Sequence, residues 1–144
     1  MNIAVFFGGR SCEHDISIIT GVQVLNALGD GYRVLPVYMK DGGFYTSDLM
    51  PDVGFFENPN LKKATRIWLI DGSFYTRKGM LLLKKETPDV ALICCHGGEG
   101  ENGVLQGFLE YNGVPYTPAG LIASSVCMDK SIAKQLLDGL MLNT

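Results

Sequence analysis

Two glycine-rich segments, each between an apolar run and a helical pattern, constrain the fold of this chain more than any other feature. Residues 8–17 follow the apolar run 3–7, and residues 96–107 follow the apolar run 89–95. A continuous apolar run is typical of a strand buried on both faces. A turn that joins such a strand to a helix is where an open α/β sheet binds its ligand. We therefore expect an α/β fold whose ligand site is built from these two turns.

The first part of the chain has the pattern of a strand, a helix and a second strand, over residues 3–39. Ser11 is expected to cap the helix, and residues 29–31 end it. The apolar positions of the helix recur at helical spacing: Ile18, Val22, Leu25 and Leu28. Such a β-α-β unit is almost always right-handed and parallel. We expect the strand over 89–95 to lie on the other side of the first strand.

The middle of the chain, between residues 40 and 86, consists of short aromatic and β-branched runs separated by turns. Asp41-Gly42 and Asp71-Gly72 are hairpin-type turns. They predict a small antiparallel excursion, with a loop over residues 51–59 and no catalytic constellation. Further on, helices are expected from residue 104 and over 121–127, and Asp129 is expected to cap a last helix.

Composition and charge exclude several functional classes. With 144 residues, the chain can bury the core of one domain. Its net charge of −3 does not favour nucleic acid or an anionic membrane as a partner. No apolar run approaches the ~20 residues that a membrane span needs, and no basic segment precedes the first strand. We therefore expect a cytoplasmic protein whose cysteines are reduced and which binds neither nucleic acid nor membrane.

Two polar side chains in the glycine-rich turns suit the two ends of an amino acid. Glu13 offers an anion for an ammonium group, and His96 offers a donor for a carboxylate. Glu101 could orient the histidine by a hydrogen bond. Ordinary structural explanations exist for each: an acid in the first turn of a helix stabilises its dipole, and a lone histidine is commonly a satisfied surface residue. His14 is expected to be such a residue.

Two other uses of the same region are disfavoured. A zinc site could in principle be formed by Cys12, His14, Cys95 and His96. Their spacing matches no closed zinc motif, however, so we expect no metal ligands here. The dinucleotide fingerprint and the P-loop are both absent after the first strand, which disfavours a dehydrogenase.

Four segments of the chain resemble the N-terminal domain of the D-alanine–D-alanine ligases, members of the ATP-grasp superfamily. They are residues 8–17, 96–107, 113–117 and 127–130, in the family's order and spacing. The resemblance implies an open, mainly parallel, doubly wound sheet of the pre-ATP-grasp, Rossmann-like type, with helices on both faces. It also implies a substrate-binding domain over residues 1–120, followed over 121–144 by the start of an ATP-grasp region.

The resemblance implies a role for each candidate site residue. Glu13 would hold the ammonium of the first D-alanine, and Ile16 and Ser17 would lie near its subsite. Glu13 and Ser17 are the catalytic candidates. His96 would contact the substrate carboxylate, and Glu101 would support this hydrogen-bond network.

The family's reaction uses ATP and Mg²⁺ to phosphorylate the carboxylate of the first D-alanine. The amine of the second D-alanine then attacks the acylphosphate, which gives a dipeptide for peptidoglycan. By resemblance, Lys130 would reach an ATP phosphate, while the Mg²⁺ ligands are expected outside this chain. The full-length protein is expected to be a homodimer.

Some departures and alternatives stay open at this point. Asn102 stands where many relatives carry Asp, and Cys12 where a small residue or Glu is common, but neither removes a proposed contact. The family's ATP-grasp domains would lie beyond Thr144, so we expect no ligase activity from the chain alone. D-alanine–D-lactate and D-alanine–D-serine ligases share these motifs. A non-catalytic small-ligand module and a pure interaction domain are the alternatives from other classes.

Overall fold

The structure, a computed structural model, describes residues 1–57 and 61–140. Strands and helices alternate at both ends of the chain, with a run of strands between them. In chain order the elements are β1 (Asn2–Gly8), α1 (His14–Leu28), β2 (Arg33–Lys40), β3 (Gly43–Thr46), β4 (Thr65–Ile70), β5 (Ser73–Lys78), β6 (Leu81–Glu86), β7 (Val90–Ile93), α2 (Val104–Tyr111), β8 (Tyr116–Thr117), α3 (Leu121–Met128) and α4 (Lys130–Gly139).

The strands of the described residues form one eight-stranded sheet in the order β6-β5-β4-β3-β2-β1-β7-β8. Strand β1 lies between β2 and β7 and is parallel to both, and β8 is parallel to β7. Strands β3 to β6 continue the sheet beyond β2 in antiparallel pairs. The α/β fold class and the position of β7 beside β1 are confirmed. The antiparallel excursion extends this same sheet.

Helices cover both faces of the sheet at β1, as predicted. Successive residues of a strand point to opposite faces, so the side chains of β1 alternate between two cores. Val5 and Phe7 pack with Val22 of α1 in one core. Phe6 packs with Leu109 of α2 in the other. Because β1 is buried on both faces, its packing fixes where the following turn begins at the edge of the sheet.

The start of α1 differs from the prediction. The helix begins at His14 with Glu13 at the N-cap, so the expectation that Ser11 caps it was wrong. The Ser11 hydroxyl instead donates to the carbonyl of His96, and it accepts the backbone N–H of Glu13 at 3.1 Å. A tertiary contact with the second glycine-rich turn has therefore taken the side chain that a local rule assigned to the helix.

The predicted loop over residues 51–59 lies partly outside the described residues. Its described part contains a short 3₁₀ helix, Val53–Phe56. The ring of Phe56 packs edge-on against Phe7 and Tyr38, with centroids 5.7 and 5.0 Å away. This segment therefore closes the core on the α1 side of the sheet.

The last two helices follow the short edge strand β8. Asp129 caps α4 as predicted, since its carboxylate accepts the backbone N–H groups of Ser131 and Ile132. The expected division between residues 120 and 121 falls between β8 and α3, and residues 141–144 of the second part lie outside the described residues; the division stays a prediction. Within residues 1–57 and 61–140, no helix has the length and apolar character to cross a bilayer.

Candidate functional site

The two glycine-rich turns lie against each other at the carboxyl ends of β1 and β7. The Ser11 hydroxyl donates to the carbonyl of His96, although the two residues are 85 positions apart. The backbone N–H of Arg10 donates to the Glu99 carboxylate at 2.9 Å. The neighbouring strands thus bring both turns to one rim, which is what the strand order predicts.

Gly97 allows a close approach between the turns. Its φ is 64°, in the left-handed region that favours glycine. A Cβ at this position would lie 3.0 Å from Oε2 of Glu13 and 3.3 Å from Cβ of Ser11. A side chain at residue 97 would therefore force the Glu13 carboxylate to shift by a few tenths of an ångström. The glycine keeps this carboxylate beside the backbone of the residue that follows His96.

His96 is half-buried, and one of its ring nitrogens has a defined partner. Its Nε2 lies 2.9 Å from Oγ1 of Thr20 on α1. His96 and Glu101 both line a groove of about 490 Å³, which α3 borders through Ala123 and Cys127. His96 and Glu101, which are predicted to contact the substrate, therefore line the same groove. Glu13 stands at the adjoining rim.

Ser17 is buried, and its hydroxyl is hydrogen-bonded within the fold. It is 0% exposed, its Oγ accepts the backbone N–H of Gly8 at 2.7 Å, and it donates to the carbonyl of Cys94 at 3.0 Å. The hydroxyl thus ties α1 to the ends of β1 and β7. This geometry does not support the predicted catalytic role of Ser17, because no part of the side chain is open to a substrate.

Ile16 and Lys130 are both open to solvent. Ile16 is 53% exposed on α1, one turn before Thr20. Lys130 is exposed at the first residue of α4, two positions after Met128, which lines the groove. Their predicted contacts with substrate and with ATP stay predictions.

Two groove residues were missed by sequence reasoning. Thr20 follows Glu13 and Ile16 at helical spacing, so the period of α1 could have indicated it. Gln106 is 1% exposed, and its Nε2 donates to the carbonyl of Gly100 at 2.8 Å. Within the described residues its Oε1 has no hydrogen-bond partner. Only the tertiary structure reveals this burial, because glutamine is usually exposed.

Near the rim, Cys94 and Cys95 are buried thiols, and His14 is hydrogen-bonded through both ring nitrogens. Burial raises the pKa of Cys94 from 9.0 to about 11 and, as its main cause, that of Cys95 to about 12. A thiol with so high a pKa is inert near neutral pH. His14 has its Nδ1 2.6 Å from the carbonyl oxygen of Gly9 and its Nε2 3.0 Å from the hydroxyl of Tyr38. Its ring is therefore satisfied, as expected.

A family model and the curated relatives of this chain point to the same family. The protein-family model described as "D-ala D-ala ligase N-terminus" matches residues 2–119 of the chain. The chain is 39% identical to the D-alanine–D-alanine ligase of Thermosipho melanesiensis over 145 aligned residues, which cover 95% of this chain and 39% of that protein. The chain thus spans about two fifths of the length of this curated relative.

Solved structures that resemble this chain come from the same family. The D-alanine–D-alanine ligase from Helicobacter pylori is similar over 100% of this chain and 46% of that one, with a TM-score of 0.87 and 25% identity. The enzyme from Bacillus anthracis, solved in complex with ATP, is similar over 100% of this chain and 38% of that one, with a TM-score of 0.65 and 27% identity.

Proposed function

Because the chain belongs to the family of D-alanine–D-alanine ligase N-terminal domains, we propose that it is the substrate-side part of an ATP-dependent ligase that joins two D-alanines. The dipeptide would serve peptidoglycan synthesis. The family match supports this assignment over most of the chain, and the relatives' greater length makes the activity a property of the full-length protein.

One observation carries the proposal: the Glu13 carboxylate stands beside the residue that follows His96, at the rim of the groove that His96 lines. Glu13 Oε2 lies against Gly97, the residue after His96, and His96 lines the groove. An amino acid presents an ammonium and a carboxylate a few ångströms apart. The Glu13 carboxylate suits the ammonium, and a protonated His96 suits the carboxylate. A first D-alanine bound in this way would be held by both of its charged groups.

The chemistry that this site serves is mainly positioning. In the proposed reaction a carboxylate oxygen of the first D-alanine attacks the γ-phosphorus of ATP, and ADP leaves. The amine of the second D-alanine then attacks the acyl carbon, the C–O bond to the phosphate breaks, and the amine proton is released. Fixing the first D-alanine at both ends converts its encounter with ATP into an oriented, effectively unimolecular step. Glu13, His96 and the supporting Glu101 supply that orientation.

ATP and Mg²⁺ enter this proposal differently. The likeness to a ligase complexed with ATP supports ATP as the co-substrate, and the exposed Lys130 can offer one cation to a phosphate. Within residues 1–57 and 61–140, no group of three or more His, Cys, Asp or Glu side chains could hold a metal ion. Following the resemblance to the family, we propose that the protein ligands of Mg²⁺ lie outside this chain, where one or two carboxylates would hold it together with the phosphates of ATP.

The proposal is tested by comparing the full-length gene product with the 144-residue chain. We expect the full-length product to release phosphate from ATP when D-alanine is present and to form D-alanyl-D-alanine. The chain alone should do neither. Offering D-lactate or D-serine with D-alanine tests the second substrate. Dipeptide formation by the chain alone would refute its predicted inactivity, and D-alanine binding without phosphate release by the full-length product would favour a non-catalytic module.

Two further properties belong to the same proposal. We place the full-length protein in the cytoplasm, where ATP and D-alanine are available, and we expect it to be a homodimer. Size-exclusion chromatography with light scattering measures the assembly, and a monomer at micromolar concentration would contradict that part.

A further inference from the structure

The hydroxyl of Thr20 stands between two groups that compete for its single proton. Its Oγ1 lies 3.0 Å from the carbonyl oxygen of Ile16 and 2.9 Å from Nε2 of His96. A hydroxyl donates once and accepts through its lone pairs, whereas a carbonyl oxygen can only accept. A threonine within a helix commonly donates to the carbonyl four residues earlier. If Thr20 does so, the His96 contact is a hydrogen bond only when Nε2 carries the proton.

We infer that Thr20 is a positioning residue, which donates to the Ile16 carbonyl and accepts the Nε2–H of His96. The neutral ring of His96 is then held as the Nε2–H tautomer, with its lone pair on Nδ1. This leaves Nδ1 as the ring atom available to a ligand. Only the protonated ring can donate from Nδ1 to a carboxylate.

The consequence for substrate rests on the proposed function, whereas the tautomer does not. If the groove holds the carboxylate of D-alanine, His96 must bind it as an imidazolium. Thr20 would then orient the ring in both protonation states, because its hydroxyl accepts from Nε2 in each. The role that we infer for Thr20 is thus to orient the His96 ring through its Nε2.

His14 provides an internal comparison with the opposite arrangement. Its Nδ1 lies 2.6 Å from the carbonyl oxygen of Gly9, which can only accept, so Nδ1 must carry a proton. In the neutral ring its Nε2 therefore accepts from the hydroxyl of Tyr38, 3.0 Å away. The sequence contains 2 histidines, so their signals can be assigned by changing one of them. The structure assigns them opposite tautomers.

The experiment is long-range ¹H–¹⁵N NMR of the 144-residue chain, labelled with ¹⁵N at histidine and recorded at a pH above the end of each ring's own titration. The ¹⁵N shifts separate protonated from unprotonated ring nitrogens. We expect the proton of His96 on Nε2 and that of His14 on Nδ1. A His96 proton on Nδ1 would mean that Thr20 donates to the ring, and would overturn the inference.

Two variants test the contribution of Thr20 itself. Thr20→Val keeps the β-branched shape and removes the hydroxyl, so the His96 Nε2–H should exchange with solvent on the order of tenfold faster. Thr20→Ser keeps the hydroxyl and should retain the slow exchange. An unchanged His14 Nδ1–H signal reports that each variant is folded. Equal exchange in the Val variant and the parent chain would overturn the inference. Neither measurement uses D-alanine or ATP. A failure of this inference about Thr20 is therefore distinguishable from a failure of the proposed ligase function.

Discussion

Gly21 sets the distance between helix α1 and strand β1. A Cβ at this position would lie 2.4 Å from Cγ of Phe7, whose side chain is fully buried. We expect Gly21→Ala to lower the free energy of unfolding by about 1–3 kcal/mol, because overpacking forces the helix off the sheet despite the better helix propensity of alanine. Urea denaturation measures the change.

Gly31→Ala is the matched control for Gly21, since nothing lies within 4 Å of a Cβ at Gly31. It should change stability by less than about 0.5 kcal/mol. If both variants behave alike, the close packing of α1 on Phe7 is contradicted.

Ser17 is the second residue on which the rim depends. Ser17→Ala removes the partner of the Gly8 N–H, so a buried donor is left without an acceptor. We expect a loss of about 1–3 kcal/mol in urea denaturation. Ser131→Ala, on the exposed face of α4, should stay within about 0.5 kcal/mol of the parent chain. A Ser17 variant as stable as the parent chain would show that the hydroxyl is dispensable for the fold.

At this scale the sequence indicates which residues carry charge, and it does not indicate which are buried. Glu13 and His96 could be selected because their turns follow neighbouring strands. The burial of Ser17 could not be predicted from the sequence, since its hydroxyl donates to the carbonyl of Cys94, 77 positions away. A contact of that range depends on how the whole sheet is assembled.

Helix α4 offers a test at the scale of the element. The Asp129 carboxylate caps it, and the helix makes few contacts with the rest of the described chain because its side chains are mostly exposed. We expect Asp129→Ala to destabilise α4 by about 1 kcal/mol. Amide hydrogen exchange at Ser131 and Ile132 should become faster, since these N–H groups lose their acceptor.

Asp138→Ala provides the opposite case in the same helix. Asp138 lies in the last turn of α4, where a negative charge opposes the helix dipole. Its removal should leave exchange at Ser131 unchanged or slightly slower. Faster exchange in both variants would mean that the capping bond is not what stabilises the start of the helix.

Elements with a strong local pattern were predictable, and those decided by tertiary contacts were not. The period of α1 and the Asp-Gly turn before β3 were visible in the sequence and are present. The N-cap of α1 was predicted at Ser11 and lies at Glu13, because the Ser11 hydroxyl bonds across to His96. The extent of the antiparallel part depended on strand pairing that a local pattern does not specify.

The stability of the whole molecule should depend on pH in the alkaline range. Burial raises the pKa of the Cys94 thiol from 9.0 to about 11 and that of Cys95 to about 12. It likewise raises the pKa of Tyr38 from 10.0 to about 12. The folded protein therefore keeps these protons at a pH where the unfolded chain loses them. Their contribution to stability is complete below about pH 9 and is lost progressively above it.

At pH 10 the loss should be on the order of 1 kcal/mol for each thiol relative to pH 7. Urea denaturation at both pH values measures it. Cys95→Ser has no thiol to ionise there, so its stability should fall less steeply with pH, whatever its absolute value. A stability that is flat between pH 8 and pH 11 would contradict the burial of these groups.

The central claim is that Glu13 and His96 together bind the first D-alanine at the rim between β1 and β7. The kcat/KM for D-alanine in ATP-dependent phosphate release by the full-length protein tests it most directly. Glu13→Gln and His96→Ala should each lower kcat/KM for D-alanine by about 10- to 100-fold, because each removes a charged hydrogen-bond partner. Glu57→Gln, at an exposed carboxylate, should leave it unchanged. Parent-like kinetics in the Glu13 and His96 variants would contradict the claim.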